Sequence, residues 1–111
     1  NPAEGMWDTA ARPGWLRLRG QAASLDDFGA PAFAGRRLDA PGFQARVRLE
    51  CDPRREGEAA GMTLLLSNVF HAEVGVRWRA GGRELYVRRR AGDMVMDAWS
   101  APLEGDGAVE L

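Results

Sequence analysis

A strict two-residue alternation runs through residues 43–51 and restricts this chain to folds built from half-buried strands. Each odd-numbered side chain from Phe43 to Cys51 is apolar, and each even-numbered side chain is polar. Successive side chains of a β-strand point to opposite faces, so one face of this segment packs on a core while the other meets solvent. An amphipathic helix needs an apolar stripe that recurs every three or four residues, and this segment has none. The segment therefore predicts a half-buried β-strand.

Further strand-like segments lie on both sides of this one, separated by turn-forming glycine and proline residues. None of them has the length and periodicity of a helix. The continuous apolar run at 59–67 predicts a central strand that is covered on both faces. The Gly81-Gly82 pair predicts the tight turn of a β-hairpin. The predicted strands are 15–19, 33–38, 43–51, 59–67, 71–79, 83–88, one marked by Met94, Met96 and Trp99, and the beginning of one at 109–111.

Short strands at regular spacing, without helices between them, favour an antiparallel β-sandwich over a fold of alternating strands and helices. The chain has 111 residues, the length of one domain, so we expect residues 1–111 to form a single all-β sandwich. In the strand at 71–79, Trp78 falls in the apolar phase and is expected in the core. His71 and Glu73 fall in the polar phase of the same strand.

The charge balance argues against two classes of partner. Fifteen basic residues, all arginine, stand against 16 acidic ones and leave a net charge of −1. No global field attracts phosphate or anionic lipid, so neither nucleic acid nor a membrane is expected as a partner. The one basic cluster, Arg88-Arg89-Arg90, is expected to be a solvated strand end.

The chain shows no signal segment and no apolar run of the roughly 18 residues that cross a bilayer. It begins with Asn1 instead of methionine, so we expect a processed product or a piece of something longer. Localisation stays open between the bacterial cytoplasm and export.

The sequence offers few residues that could bind a metal ion or a cofactor. Cys51 and His71 are the sole cysteine and histidine, which excludes an intramolecular disulfide and leaves a zinc site short of ligands. We predict no metal and no cofactor, while calcium in a loop such as Asp26-Asp27 or Glu104–Asp106 stays open. Cys51 lies in the apolar phase of its strand, and burial makes a thiol inert. Sandwich enzymes that hydrolyse sugar chains use an E-x-D-x-E carboxylate triplet, which this sequence lacks.

Histidine, glutamate and tryptophan side chains are candidates for contact with a carbohydrate. His71 beside Glu73 can bind a sugar hydroxyl, act as a base or make a structural hydrogen bond, and we expect the strand of Arg46 and Arg48 to lie next to them. Trp15 shares a strand face with arginines, because Leu16 and Leu18 are expected inward. An exposed indole ring can stack on a sugar ring, so Trp7 and Trp99 are candidates beside Trp15.

The order of these signals resembles the C-terminal concanavalin A-like domain of family 43 glycoside hydrolases, which are β-xylosidases and α-L-arabinofuranosidases. The similarity runs from about Arg12 to Arg90. Its motifs are moderately specific together and weak singly. They are the stretch Arg12-Pro13-Gly14-Trp15-Leu16-Arg17-Leu18-Arg19-Gly20, Ser24-Leu25, Arg36-Arg37, the strand that begins at Phe43, Ala59-Ala60-Gly61-Met62, and Asn68 with His71.

The resemblance implies a jelly-roll fold and a role in xylan degradation without catalytic residues of its own, because the family's catalytic carboxylates lie in a five-bladed propeller. Arg36 and Arg37 match the family's arginine pair, whose planar donors suit carboxylates or backbone carbonyls in the core or at a domain contact. The chain departs from the family at Ala72, where an aromatic residue usually follows the histidine. The family domain also continues beyond this chain, so we expect the sandwich to be incomplete at its C-terminal end.

The leading functional hypothesis is an accessory sandwich that docks on a catalytic propeller and supports it. The alternative is a stand-alone, lectin-like module that binds xylo- or arabino-oligosaccharides. A third hypothesis is a structural fragment that forms homo-oligomers through exposed sheet edges.

Overall fold

The computed structural model describes residues 7–10, 12–20, 33, 35, 37, 42, 44–105 and 107–111. All regular structure in these residues is antiparallel β-strand, as predicted, and they contain no helix. The chain falls into two compact units, Asn1–Gly42 and Phe43–Leu111. The strands are β1 Trp7–Asp8, β2 Arg17–Leu18, β3 Arg48–Leu49, β4 Ala59–Ser67, β5 Phe70–Arg79, β6 Gly82–Ala91, β7 Met94–Pro102 and β8 Val109–Glu110.

The first unit holds the two-stranded sheet of β1 and β2, in which Trp7 pairs with Leu18. The prediction that Leu16 and Leu18 point inward was wrong, since 49% and 42% of their surfaces are exposed. A strand of two residues offers too small a face to bury them. Trp15 is half-buried beneath the guanidinium of Arg12, whose carbon lies 4.2 Å from the ring centre.

The predicted strand at 33–38 falls mostly outside the described residues. Of its six positions, Phe33, Gly35 and Arg37 are described, and none of these three is in a strand. Arg36 lies outside the described residues.

In the second unit, the alternating segment at 43–51 contains β3, which pairs with the last strand. Val47, Leu49 and Cys51 are half-buried and the polar residues between them are exposed, so the predicted alternation is confirmed there. Leu49 pairs with Val109, and reciprocal backbone hydrogen bonds of 3.0 and 2.8 Å join Val47 to Leu111. The strand predicted to begin at 109 is therefore present as β8. Phe43 lies outside the described residues.

The other sheet is a four-stranded meander in the order β4-β5-β6-β7. The prediction that 59–67 is a central strand covered on both faces was wrong, because β4 lies at the edge of this sheet. A register shift between Leu65 and Ser67 leaves Leu66 unpaired and 86% exposed. A continuous apolar run indicates a strand without fixing its neighbours, since both faces of an edge strand can be apolar too.

Register assigns the side chains of the meander to two faces, because paired residues of neighbouring strands point to the same side. The polar face carries Ala59, Gly61, Thr63 and Leu65 of β4, His71, Glu73, Gly75, Arg77 and Arg79 of β5, Gly82, Glu84, Tyr86, Arg88 and Arg90 of β6, and Val95, Asp97, Ser100 and Pro102 of β7. The apolar face carries Ala60, Met62, Leu64, Phe70, Ala72, Val74, Val76, Trp78, Arg83, Leu85, Val87, Arg89, Ala91, Met94, Met96, Trp99 and Ala101.

The best-buried apolar side chain on the apolar face is Val76, which is fully covered, while Trp78 is half-buried instead of lying deep in the core. Next to Trp78, Arg83 is only 8% exposed. Its guanidinium donates hydrogen bonds to the carbonyl oxygens of Cys51 at 3.2 Å, Gly105 at 3.0 Å and Gly107 at 3.2 Å. This buried arginine therefore ties the meander to the segments that follow β3 and precede β8.

The β5–β6 turn differs by one residue from the predicted Gly81-Gly82 turn. Arg79 pairs with Gly82, so the two turn residues are Ala80 and Gly81, with φ of 53° and 82°. A two-residue turn with both φ values positive matches the right-handed twist of the strands it joins. The left-handed region is costly for alanine because its Cβ crowds the following carbonyl.

We expect Ala80→Asn to raise the free energy of unfolding by about 0.5 to 1 kcal/mol, because asparagine tolerates the left-handed region and favours this turn type. The measurement is urea unfolding followed by tryptophan fluorescence. Ala80→Val is the matched comparison and should lower the free energy of unfolding, since a β-branched side chain is worse at positive φ. Equal shifts in the two variants would contradict this account.

Candidate functional site

The densest group of interacting charged side chains in the described residues lies on the polar face. It includes a four-charge cluster made of Arg77, Arg79, Glu84 and Asp97. Arg77 donates from Nε to Oε1 of Glu84 at 2.9 Å and from Nη1 to Oδ1 of Asp97 at 3.1 Å. Arg79 donates from Nη1 to Oδ2 of the same aspartate at 3.1 Å. Asp97 is thus shared by two arginines of β5.

Exposure divides the four-charge cluster into an inner and an outer pair. The side chains of Arg77 and Glu84 are 14% and 20% exposed, whereas those of Arg79 and Asp97 are 51% and 41% exposed. The inner pair is held by a short contact of 2.8 Å between Nη2 of Arg77 and Oε1 of Glu84. Two cations and two anions leave the cluster with no net charge.

These contacts favour the ionised forms of Arg77 and Asp97. The hydrogen bond from Arg77 lowers the pKa of Asp97 against the opposing effect of its partial burial. Burial works to lower the pKa of Arg77, but the hydrogen bonds to Asp97 and Glu84 outweigh it and raise the pKa. Both groups therefore stay ionised over the physiological range.

Tyr86 lies under this cluster and is 5% exposed. The guanidinium carbon of Arg77 sits 4.6 Å from the centre of its ring, in cation–π geometry. Burial, reinforced by the negative charge of Glu73, raises the pKa of Tyr86 from 10.0 to about 12.

Tyr86 is the sole tyrosine of the chain, so the ultraviolet absorbance of tyrosinate reports it alone. We expect the folded chain to ionise with a midpoint near pH 12, and the chain unfolded in urea to ionise near 10.0. Since the folded pKa is the higher one, the unfolded state loses its proton first, and folding stability falls as the pH rises above 10. A folded-state midpoint equal to the unfolded one would contradict the burial of this phenol.

A second polar group joins His71, Glu73 and Arg88. His71 is only 5% exposed, and its Nδ1 donates to the carbonyl oxygen of Ser67 at 3.4 Å. In that tautomer Nε2 accepts from Nη1 of Arg88 at 3.5 Å, and the same Nη1 lies 3.4 Å from Oε1 of Glu73. These three interactions join the buried imidazole to two charged side chains of the polar face and to the backbone of Ser67.

The predicted neighbours of His71 were wrong in one respect. His71 and Glu73 share the polar face as expected, but the strands beside them are β4 and β6, with Arg90 and Arg88 opposite them on β6. Arg46 precedes β3 and Arg48 lies within it, and β3 pairs with β8. The meander places each strand next to its neighbour in sequence because turns of two residues join them.

Sequence reasoning missed several residues of the polar face. Their signal was the spacing: Glu84, Tyr86 and Arg88 alternate with apolar Leu85 and Val87, which indicates one polar strand face. The neighbouring arginines of the sequence Arg88-Arg89-Arg90 accordingly divide between the two faces instead of forming one basic patch.

Residues 1–111 match the family described as the beta xylosidase C-terminal concanavalin A-like domain. The chain belongs to this family. The resemblance drawn from sequence motifs is confirmed, and the antiparallel all-β structure agrees with a concanavalin A-like domain.

Two curated relatives contain a segment that is similar in sequence to this chain. The non-reducing end alpha-L-arabinofuranosidase BoGH43B of Bacteroides ovatus is 32% identical over 111 residues, which are 100% of this chain and 21% of the relative. The xylosidase/arabinosidase of Butyrivibrio fibrisolvens is 31% identical over 72 residues, which are 65% of this chain and 14% of the relative. The concanavalin A-like domain thus spans about a fifth or less of the curated relatives it matches.

The other candidate residues of this concanavalin A-like domain lie in its first unit. Arg36, of the arginine pair, is outside the described residues, and Arg37 is exposed. The ring of Trp15 is covered on one side by Arg12. A sugar-contacting or domain-contacting role for these residues stays a prediction, as it does for His71 and Glu73.

The described part of the domain offers neither a cluster of metal ligands nor a membrane-spanning helix. No group of three or more histidine, cysteine or acidic residues there is arranged to hold a metal ion. Asp26, Asp27 and Asp106, named above for calcium, lie outside that part. Burial raises the pKa of the half-buried Cys51 thiol, with Arg83 opposing the shift, which agrees with an unreactive thiol. No helix in the described residues is long and apolar enough to cross a membrane.

Proposed function

We propose that this concanavalin A-like domain is a non-catalytic accessory module that docks on the catalytic propeller of a glycoside hydrolase and supports it. The observation that carries the proposal is the family match over residues 1–111, together with the small share of the relatives that the domain covers. Those relatives are named as an arabinofuranosidase and a xylosidase/arabinosidase, so the substrates proposed for the whole enzyme are chains of pentose sugars.

The chemistry of the polar face supports a non-catalytic role. Retaining glycosidases need one carboxylate as nucleophile and a second, protonated carboxyl group about 5 Å away as acid. On this face Glu84 and Asp97 are each held by the guanidinium of Arg77, which keeps Asp97 ionised. A carboxylate fixed as an anion by arginine is a poor proton donor.

Exposed apolar surface supports docking. Contacts between domains of one enzyme bury about 600 to 1,500 Å² and mix apolar with polar groups. The meander leaves Met94, Met96 and Trp99 of β7 between 51% and 72% exposed. These three side chains lie on one face of one strand, and a contiguous exposed apolar patch marks a contact surface.

The test supplies this chain to the Bacteroides ovatus relative from which the matching segment has been deleted. We expect the chain alone to hydrolyse neither aryl xylosides nor aryl arabinofuranosides, and to raise the melting temperature of the truncated enzyme when the two are mixed. The relative's own excised segment, added to the same truncated enzyme, is the positive control. Turnover by the purified chain, or association of the excised segment but not of this chain, would overturn the proposal.

Self-association through the sheet edges is the competing outcome of the same experiment. The outer sides of β4 and β7 have no partner strand in the described residues, and such edges can pair with a second copy. Sedimentation of the chain alone distinguishes the two. A monomer that binds the truncated enzyme supports docking, and a dimer that does not bind it supports self-association.

A further inference from the structure

We propose that the polar face of the meander, centred on Arg77, Arg79, Glu84 and Asp97, binds a neutral oligosaccharide. This binding site goes beyond docking, and only the choice of pentose sugars as the ligand rests on the proposed function. Three observations carry it: the charge balance of the cluster, its rigidity, and the low surface beside it.

Charge balance selects the class of ligand. The four-charge cluster has two guanidinium groups and two carboxylates, each within 3.1 Å of an opposite charge. An incoming phosphate or carboxylate would find both guanidinium charges already neutralised, and it would be repelled by the carboxylates of Glu84 and Asp97. A neutral hydroxyl group can instead accept from a guanidinium N–H and donate to a carboxylate oxygen without separating the ion pairs. The cluster is therefore matched to a polyol and not to an ion.

Rigidity lowers the cost of binding. The inner pair, Arg77 and Glu84, is mostly covered and is anchored on the buried ring of Tyr86. The outer pair, Arg79 and Asp97, is about half exposed and is held by that inner pair. Polar groups already fixed in position lose little rotamer freedom when a ligand arrives. Each exposed carboxylate or guanidinium also keeps spare hydrogen-bonding capacity, since a carboxylate accepts about four hydrogen bonds and a guanidinium donates five.

The shape beside the cluster admits a sugar ring. Ala59 of β4 pairs with Arg77, and Gly61 pairs with Gly75 one row further along the face. Ala59 and Gly61 are both exposed. The side chain of Ala59 is a single methyl group and Gly61 has none, so little rises above the backbone on the β4 side of the cluster. On the β7 side, the exposed Ser100 adds a hydroxyl opposite Tyr86. A sugar can thus approach the polar groups from β4 and span them toward β7.

The experiment is an amide NMR titration of the 111-residue chain with xylotetraose and, separately, arabinotetraose. We expect saturable shifts at Arg77, Arg79, Glu84 and Ser100 with at least one of the two sugars, and Asp97→Asn should weaken binding about tenfold by removing one charged acceptor. Asp93→Asn, in the exposed β6–β7 turn, is the matched control and should bind like the natural chain. If Asp97→Asn does not fold, Arg79→Gln replaces it, because half of that side chain is exposed.

Three outcomes overturn the proposal. One is the absence of chemical-shift changes on the polar face with both sugars at concentrations up to about 10 mM. At that concentration a site with a Kd of about 1 mM would be nearly saturated. A second is saturable shifts confined to the apolar face around Trp99. The third is tighter binding of an anionic probe, tetragalacturonate, than of either neutral sugar. The titration uses this chain alone, so its failure leaves the docking proposal standing, and a failure to dock leaves the sugar site standing.

Discussion

Replacing Arg83 with methionine is expected to lower the free energy of unfolding by about 3 kcal/mol. The guanidinium donates to the carbonyl oxygens of Cys51, Gly105 and Gly107, and methionine fills a similar volume without any donor. A hydrogen bond that involves a charged group contributes about 1.5 to 3 kcal/mol, and this substitution removes three of them; Gly105 and Gly107 are exposed, so water replaces part of the loss at their carbonyls. Urea unfolding followed by tryptophan fluorescence measures the change.

Arg89→Met is the matched control for this substitution. Arg89 lies on the same strand and the same face as Arg83 but is exposed. We expect its replacement to change the free energy of unfolding by no more than about 0.5 kcal/mol. Arg83→Lys should fall between the two, because an ammonium keeps the charge but cannot reach three carbonyls with a planar fork. Equal losses in Arg83→Met and Arg89→Met would show that the buried hydrogen bonds do not stabilise the fold.

Gly75→Ala has the second largest expected effect, a loss of about 2 to 3 kcal/mol. A Cβ atom at this position would lie 2.9 Å from the Cα atom of Gly61 and closer still to the carbonyl oxygen of Ala60. Both atoms belong to the backbone of β4, so the two strands would have to separate to make room. Forcing extra volume into a packed site costs about 1 to 3 kcal/mol.

Gly82→Ala is the control for the loss of glycine itself. Gly82 lies on the polar face, where nothing stands within 4 Å of an added Cβ atom. We expect this variant to unfold at the same urea concentration as the natural chain or slightly above it, because alanine restricts the unfolded state. If Gly75→Ala is as stable as Gly82→Ala, then β4 and β5 do not approach each other closely at this pair.

Much of the fold was predictable from local patterns. The alternation at 43–51 records which face meets the core, and the structure agrees at Val47, Leu49 and Cys51 but not at Ala45, which is exposed. The alternation at 71–79 separates the two faces of β5 correctly, although His71 of the polar phase is buried. Edge position is not local information, so the apolar run of β4 was misplaced in the centre of a sheet. The β5–β6 turn was shifted by one residue because Ala80-Gly81 and Gly81-Gly82 are both short glycine turns. Cross-strand pairing of Arg79 with Gly82 decides between them.

The candidate site was predictable only in part. His71 and Glu73 could be assigned to a polar strand face from their spacing. Arg83 carried a readable signal as well, since it shares the apolar phase of Leu85 and Val87, and an arginine in that phase needs a buried partner. Asp97 could not be placed, because a register shift between Val87 and Arg88 changes which residues of β7 face β6. The four-charge cluster depends on that shift.

The pairing of β3 with β8 has a consequence for the order in which the chain folds. The meander joins strands that are adjacent in sequence, so its hairpins can form by closing turns of two residues. Leu49, by contrast, precedes the whole meander in sequence, and Val109 follows it. Their pairing closes a loop that contains almost all of the second unit. Loop closure over that length costs more entropy than closing a hairpin. We therefore expect the hairpins to nucleate folding, with the β3–β8 ladder and the Arg83 hydrogen bonds closing last.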